Sequence, residues 1–364
     1  MNDLVTISLC MIVKNEEKVL ERCLQSIKGI PDEIIIVDTG STDCTKEIAK
    51  KWTPHVYDFK WIDDFSAARN ESFRHATKDY ILWLDADDVL LEQDKTALQT
   101  LKHSLQPQID AVSMKYHAHF DTQGNVISSA FRFRLLKRER QYRWIGVVHE
   151  HIPVTEQDQT YQSNIVVTHQ KENPQRSVRN LTIYEKYVAG GGTLTSHDLF
   201  HYGRELISNH RYEEAVDVFH KFLDSPDISD EMRLFIFNEL ASCYYFLQNI
   251  EQEHQITLQS LSYDMPQPVF CCRLGEHFLR QGKVEGAIFW YKQATQLPVS
   301  YSWTVDKKPF YTWLPHKQLG VCYEMKKENR QALKYYQKSL TFLPDDTEVQ
   351  QKIQHLKKQM KKKK

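Results

Sequence analysis

Glycine and proline are scarce in this chain, at 12 of each among 364 residues. So few breakers exclude a collagen-like repeat or a long low-complexity linker. Cysteine is sparse and odd in number: Cys10, Cys23, Cys44, Cys243, Cys271, Cys272 and Cys322. No two are spaced Cys-x-x-Cys, and the adjacent Cys271-Cys272 suits neither a disulfide framework nor a structural zinc site. Long apolar runs are missing as well. The stretch Val5–Val13 ends after nine residues at Lys14-Asn15-Glu16-Glu17 and has no cationic lead-in. That is too short for a secretory leader or a membrane span. A reduced, cytoplasmic protein without a transmembrane segment is the expectation.

Nor is there a basic excess. The formal net charge is −1, and six of the 47 basic residues are lysines in the last eight positions, Lys357–Lys364. Without them 41 basic residues face 48 acidic ones, leaving a body at −7. Nucleic-acid binders carry positive charge in the body of the domain, so no nucleic-acid partner is expected. The lysine run reads as a solvated, frayed end, with attraction to an anionic membrane as the lesser alternative. At 41% hydrophobic and 26% charged, the chain has the apolar material for ordinary cores, which excludes a disordered polymer. Its length divides into about two domains of roughly 150 residues.

The two halves have different periods. From Ile7 to about His169, strands alternate with helices. Ile7–Val13, Glu33–Val37 and Tyr80–Leu84 are apolar on both faces, as central parallel strands are. Helical spacing covers Glu17–Lys28, Thr42–Lys51 and Ala67–Ala76. Alternating units of this kind predict an α/β domain with a doubly wound, mostly parallel sheet, whose ligands sit beyond the carboxyl ends of the strands. Polar clusters fall at those places: Asn15-Glu16, Asp38–Asp43 and Asp85–Asp88. From about His197 onward the pattern is paired helices. Gly203, Ala241, Gly275 and Gly320, at intervals of 38, 34 and 45, are followed twelve residues later by Ala215, Glu253, Ala287 and Ala332. Phe219, Tyr291 and Tyr336 follow four residues further on, with Thr257 breaking the series. An interval of 34 and the Leu-Gly-x-x-aromatic pattern at Leu274–Phe278 and Leu319–Tyr323 match a tetratricopeptide unit. The all-α second part is therefore predicted as a solenoid of three to four helical hairpins, with an insertion around 299–309. The expected division is 1–180, a connecting segment 181–196, repeats over 197–350 and a lysine-rich tail 351–364.

Four constellations carry chemistry. Asp85-Ala86-Asp87 places two carboxylates after a buried strand, where both reach one divalent cation; hard oxygen ligands suit Mg²⁺ or Mn²⁺. The plain alternative is an acidic turn. In Val37–Asp43, Asp38 closes a buried strand where it can accept hydrogen bonds from a nucleoside, while Gly40 to Thr42 also read as a turn and a helix cap. Arg69 sits in the first turns of a helix, the electrostatically wrong end for a cation unless it grips a diphosphate there; a plain surface arginine is the alternative. In His149-Glu150-His151 a carboxylate lies between two imidazoles, fit for a general base or part of a metal site, and His169 can complete a metal shell. Phe131, Phe133 and Leu135 alternate with Arg132 and Arg134, as in a strand with one buried apolar face.

Together, Ile12–Glu17, Val37–Asp43, Asp64-Phe65-Ser66-x-Ala68-Arg69-Asn70, Asp85-Ala86-Asp87, Gly146-x-Val148-His149-Glu150 and Arg179-Asn180-Leu181, in that order, resemble the family 2 glycosyltransferases of GT-A fold. The subgroup most similar carries C-terminal tetratricopeptide repeats and includes the sublancin-type peptide S-glycosyltransferases, where Gly203-Arg204-Glu205-Leu206 also fits. The resemblance implies an inverting, metal-dependent transfer of a hexose from a UDP-sugar. It implies that Asn15, Glu16 and Asp38 hold the uridine, Arg69 meets the diphosphate, Asp85 lies by ribose and metal, and Asp87 and His169 bind Mn²⁺ or Mg²⁺. Glu150, with His149 beside it, takes the place of the base. One departure is His169-Gln170-Lys171-Glu172, where related sequences show His-x-Gly-Tyr. The repeats point to a peptide or protein Ser, Thr or Cys as acceptor and to a homodimer through an exposed repeat edge. A surface glycan or lipid-linked saccharide is the alternative acceptor. A non-catalytic repeat scaffold with a decayed sugar-nucleotide domain is the alternative of another class.

Overall fold

Strands that are apolar on both faces become the middle of a sheet. In the computed structural model, which describes residues 4–120, 126–170, 178–226, 228–298 and 307–362, β1 (Ile7–Val13) is flanked by two parallel neighbours, β2 (Glu33–Asp38) and β4 (Tyr80–Trp83). The short β3 (Val56–Asp58) adds in parallel outside β2. Ile7, Leu9, Met11, Ile36 and Leu82 of these strands have no exposed surface; each such side chain contributes about 1.5–3 kcal/mol by leaving water. The helices α1 (Leu20–Ser26), α2 (Thr45–Trp52) and α3 (Phe65–Arg74) connect them. Asp64 caps α3, accepting from the Ala67 backbone at 2.9 Å, which fixes where that helix begins.

Beyond β4 the sheet changes character. After β5 (Asp88–Val89) and α4 (Glu92–Ser104) come β6 (Ala111–Phe120), β7 (Val126–Lys137) and β8 (Thr160–His169). The order across the sheet is β3-β2-β1-β4-β7-β6-β8-β5. β7 runs antiparallel to both β4 and β6, and β5 antiparallel to β8. The doubly wound parallel half is thus joined to a mixed half, because β6 and β7 follow one another too closely in sequence for a crossover connection. A bulge interrupts that hairpin. Val112 pairs with Leu135 and the next residue, Ser113, with Phe133, leaving Arg134 as the extra residue. A bulge re-aims its side chain, and here two residues leave their expected faces: Arg134 is 1% exposed and Phe131 48%, while Leu135 is buried as expected.

The chain separates into two compact units, Met1–Leu194 and Thr195–Lys364. The first includes α5 (Arg179–Ala189), which buries Leu181, Ile183 and Tyr184, so the segment expected as a connector contributes a packed helix. The second is helical throughout its described residues. Four hairpins pair α6 (Ser196–Ser208) with α7 (Tyr212–Leu223), α8 (Asp230–Phe246) with α9 (Ile250–Ser260), α10 (Pro268–Arg280) with α11 (Val284–Gln296), and α12 (Trp313–Met325) with α13 (Asn329–Leu340). The glycine–aromatic spacing has a direct cause. A Cβ at Gly203, Gly275 or Gly320 would come within 2.3, 2.8 and 2.5 Å of the rings of Phe219, Tyr291 and Tyr336. Close helix approach needs the missing side chain, and in the second hairpin Ala241 faces the register of the smaller Thr257. Residues 299–306 of the expected insertion lie outside the described residues. The lysine-rich end is not frayed up to Lys362: it forms α14 (Thr347–Lys362), which buries Val349, Ile353 and Leu356 in the repeat core. Among the described residues no helix is long and apolar enough to cross a membrane. All seven cysteines are free thiols, and Cys44 alone is exposed.

Candidate active site

The turns after β1 and β2 interlock. Asn15, at a left-handed φ of 55° that asparagine tolerates better than most residues, accepts through Oδ1 from the Thr42 backbone at 2.8 Å and donates its own N–H to Ser41 Oγ at 2.9 Å. The Glu16 N–H donates to Thr45 Oγ1 at 2.7 Å. Asp38 Oδ1 accepts from the backbones of Gly40 and Ser41 at 3.0 and 2.9 Å, a turn that Gly40 permits with φ of 102°. The other oxygen, Oδ2, is buried without a hydrogen-bond partner.

These turns border a cavity of about 640 Å³. Its wall includes Asn15, Glu16, Arg69, Asp85, Asp87, His149, Glu150 and His169, brought from five segments of the first unit. Asp38 is not in that wall, although its neighbour Thr39 is. Asp43, beside the exposed Cys44 at the start of α2, is also part of it.

At the end of β4 the acidic run divides its labour. Asp88 is fully buried; its Oδ2 accepts from Arg134 Nη1 at 2.9 Å and from the Asp85 N–H at 3.0 Å. Asp88 Oδ1 faces His169 Nδ1 at 3.6 Å, and Asp87 Oδ1 lies 3.3 Å from the same nitrogen. Ligand atoms of Asp87, Asp88 and His169 all fall within 4.8 Å of one another. Asp88 Oδ1 and His169 Nδ1 are both buried with no hydrogen-bond partner. Two carboxylates and an imidazole with orphaned atoms turned toward each other fit a small divalent cation with mixed oxygen and nitrogen ligands. Asp87 first, and Asp88 second, raise the His169 pKa to about 9, so the imidazolium is a counter-charge to them.

Asp85, expected beside Asp87 on the metal, instead faces Arg69, accepting from Nη2 at 2.7 Å. Burial pushes its carboxyl up, but the Arg69 and Arg134 guanidinia outweigh that and hold it below the ordinary aspartate range. Arg69 donates at the same time through Nε to Glu150 Oε1 at 2.5 Å. Its guanidinium lies against the rings of Trp144 and Trp83, 4.7 and 5.1 Å from their centres. Glu150 is aimed by a tightly turned segment. Ile145 and His151 close it with two backbone hydrogen bonds of 2.9 and 3.0 Å, and Gly146 and His149 take left-handed φ values of 98° and 54°. His149 itself lies near the Tyr184 ring, while the Tyr184 hydroxyl donates to the Val148 carbonyl at 3.2 Å.

Sequence reasoning missed Asp88 and Arg134. Asp88 adjoined a recognised motif, but its partner lies 46 residues away on a bulge.

Residues 8–155 match the model of the family described as Glycosyl transferase family 2. A TPR repeat-containing protein of Synechococcus elongatus is 27% identical over 331 residues, covering 87% of this chain and 73% of that protein. The glycosyltransferase SunS, found in Bacillus subtilis as a product of the SPbeta prophage and in Bacillus phage SPbeta itself, is 30% identical over 268 residues. That alignment covers 68% of this chain and 60% of SunS, so the chain spans less than two thirds of SunS. Residues 8–155, which hold the interlocked strand-end turns and the acidic run Asp85–Asp88, thus form a domain of the glycosyl transferase family 2 type, and helical hairpins follow it in the second unit.

Proposed function

We propose that the protein transfers a hexose from a UDP-sugar to an acceptor with inversion at the anomeric carbon. The observation that carries this reading is a single cavity lined both by members of the carboxylate–imidazole cluster, Asp87 and His169, and by Glu150 held as an anion partner of Arg69. Asp87, Asp88 and His169 would hold Mn²⁺ or Mg²⁺, which when bound supplies charge neutralisation for the departing diphosphate. Asn15 and Glu16 line the nucleoside end, and Asp38 shapes the turn behind them through its bonds to Gly40 and Ser41. Glu150 takes the proton from the acceptor hydroxyl or thiol as that atom bonds to the anomeric carbon; the bond from that carbon to the phosphate oxygen breaks, and UDP leaves with the electron pair. General-base help of this kind supplies roughly 10²–10⁴-fold.

For the acceptor we propose a polypeptide Ser, Thr or Cys, because stacked helical hairpins form extended surfaces that suit a peptide chain. Labelled UDP-hexoses incubated with separate peptide and glycan pools test this: label in peptide supports it, and label only in glycan overturns the acceptor assignment. Asp87→Ala is expected to abolish the melting shift given by UDP with Mn²⁺. Glu150→Gln is expected to keep that shift and to slow transfer roughly 10²–10⁴-fold, leaving a measurable residue. A wild-type chain with no such shift and no UDP release from any donor would make the repeat-scaffold reading the correct one.

A further inference from the structure

We propose that Arg69 is a positioning residue acting through Glu150, and that the segment Asp64–Asn70 is a clamp for the loop carrying that carboxylate. This rests on the transferase reading above, and it departs from the diphosphate role that the resemblance implies for Arg69.

The clamp is built from the first two turns of α3. The Phe65 N–H donates to the Val147 carbonyl at 2.9 Å, and Ser66 Oγ donates to the Gly146 carbonyl. Asn70 meets Trp144 twice, donating from Nδ2 to its carbonyl at 3.0 Å and accepting from its N–H at 2.9 Å. Ser66, Arg69 and Asn70 are spaced three and four apart, so they share one face of α3. Arg69 completes that face by reaching the Glu150 carboxylate itself. Its guanidinium is held by two charged partners, Nε to Glu150 and Nη2 to Asp85, and lies near the Trp83 and Trp144 rings. Side-chain exposure is 11% for Arg69 and 10% for Glu150, so neither swings without breaking the other's contact.

One cation therefore serves two carboxylates through two neighbouring donors of a rigid fork. Asp85 sits on the strand-end run that leads into Asp87 and Asp88, and Glu150 sits on the clamped loop. The fork fixes the spacing between the end of the site that holds the donor and the group that deprotonates the acceptor. Lysine at this position keeps the charge but reaches only one carboxylate at a time, since an ammonium is a point charge without the fork.

The test compares wild type, Arg69→Lys, Glu150→Gln and the double variant. UDP with Mn²⁺ is the binding probe, uridine the control, and UDP release the turnover assay. The donor is whichever of UDP-glucose, UDP-galactose and UDP-N-acetylglucosamine gives the largest melting shift. R69K is expected to lower kcat roughly 10²-fold, the low end of a general base's contribution, while UDP affinity and donor KM stay within about threefold of wild type. In the E150Q background, R69K is expected to cost less than about threefold more, since two groups acting as one unit are not additive. Should R69K fail to fold, Asn70→Ala carries the same comparison from the other side of the clamp. Losses that multiply in the double variant, or a loss of UDP affinity above about tenfold with uridine unaffected, would overturn the assignment and return Arg69 to the diphosphate. A wild-type chain that neither binds UDP with Mn²⁺ nor releases it from a donor would overturn the transferase reading, and this one with it.

Discussion

Asp88→Asn perturbs the structure at its least forgiving point. The side chain is 0% exposed and its partner Arg134 1%, so the isosteric amide leaves a guanidinium buried without its counter-charge. Breaking one side of a buried ion pair costs about 3–5 kcal/mol. For a unit of nearly 200 residues, each kcal/mol is worth about 2–4 °C, so the melting temperature is expected to fall by roughly 6–20 °C. Arg134→Met should lose a similar amount, including about 0.5–2 kcal/mol from its 3.8 Å approach to the Trp83 ring. The double variant removes both charges at once and should recover most of the stability, because a buried pair replaced by apolar or neutral groups is often neutral. Urea unfolding followed by near-ultraviolet dichroism, which reads Trp83 among others, measures all three. The double variant also separates the two jobs of Asp88: stability should return while Mn²⁺ binding, followed by calorimetry with UDP, should stay lost. A single-variant loss below about 1 kcal/mol, or a double variant no more stable than either single one, would refute the account of this pair.

Gly320→Ala places a methyl 2.5 Å from the buried Tyr336 ring, whose hydroxyl is tied to Glu324 at 2.9 Å. Overpacking of about 1–3 kcal/mol against a helix gain of about 1 kcal/mol gives an expected net loss of up to about 2 kcal/mol. Pairing it with Tyr336→Thr, as Ala241 is matched with Thr257, should relieve the clash; thermal unfolding checks both, and a rise in melting temperature for the single variant refutes the packing argument. Glu71 is drawn down to about 2 chiefly by its hydrogen bonds to Arg74, then to His75. A folded pKa below the unfolded value stabilises above about pH 4.3 and is lost as pH falls toward 2. Glu71→Gln should therefore cost under about 1 kcal/mol at pH 7, since the pair is partly exposed, and nothing near pH 2; a difference that grows on acidification would contradict the assignment.

Much of the first unit was legible because β1, β2 and β4 are buried on both faces, so their sequences are uniformly apolar and the residues closing them are recognisable by chemistry alone. Asp85 and Asp87 stood out for that reason. What their carboxylates touch was not legible. Whether Asp85 meets a cation or Arg69 depends on a helix sixteen residues earlier in the chain. β7 was misread for a more specific reason. Alternation identifies two faces and lets composition choose the buried one, but the bulge at Arg134 shifts the phase within the strand. No local pattern announces such a shift, so a charged residue entered the core and Phe131 left it. In the second unit the glycine–aromatic spacing was legible because it reports a single distance between paired helices. The lysine-rich end misled because charge density concealed Val349, Ile353 and Leu356, which recur at helical intervals.

Six of the seven thiols are packed away, and the remaining one, Cys44, stands next to Asp43 at the rim of the cavity. A maleimide dye will therefore attach to the native chain at one place, with no background to remove by mutagenesis. Glu17 beside it raises the thiol pKa, so coupling is best run in mildly alkaline buffer. The molecule thus carries its own attachment point for an optical reporter of what enters that cavity.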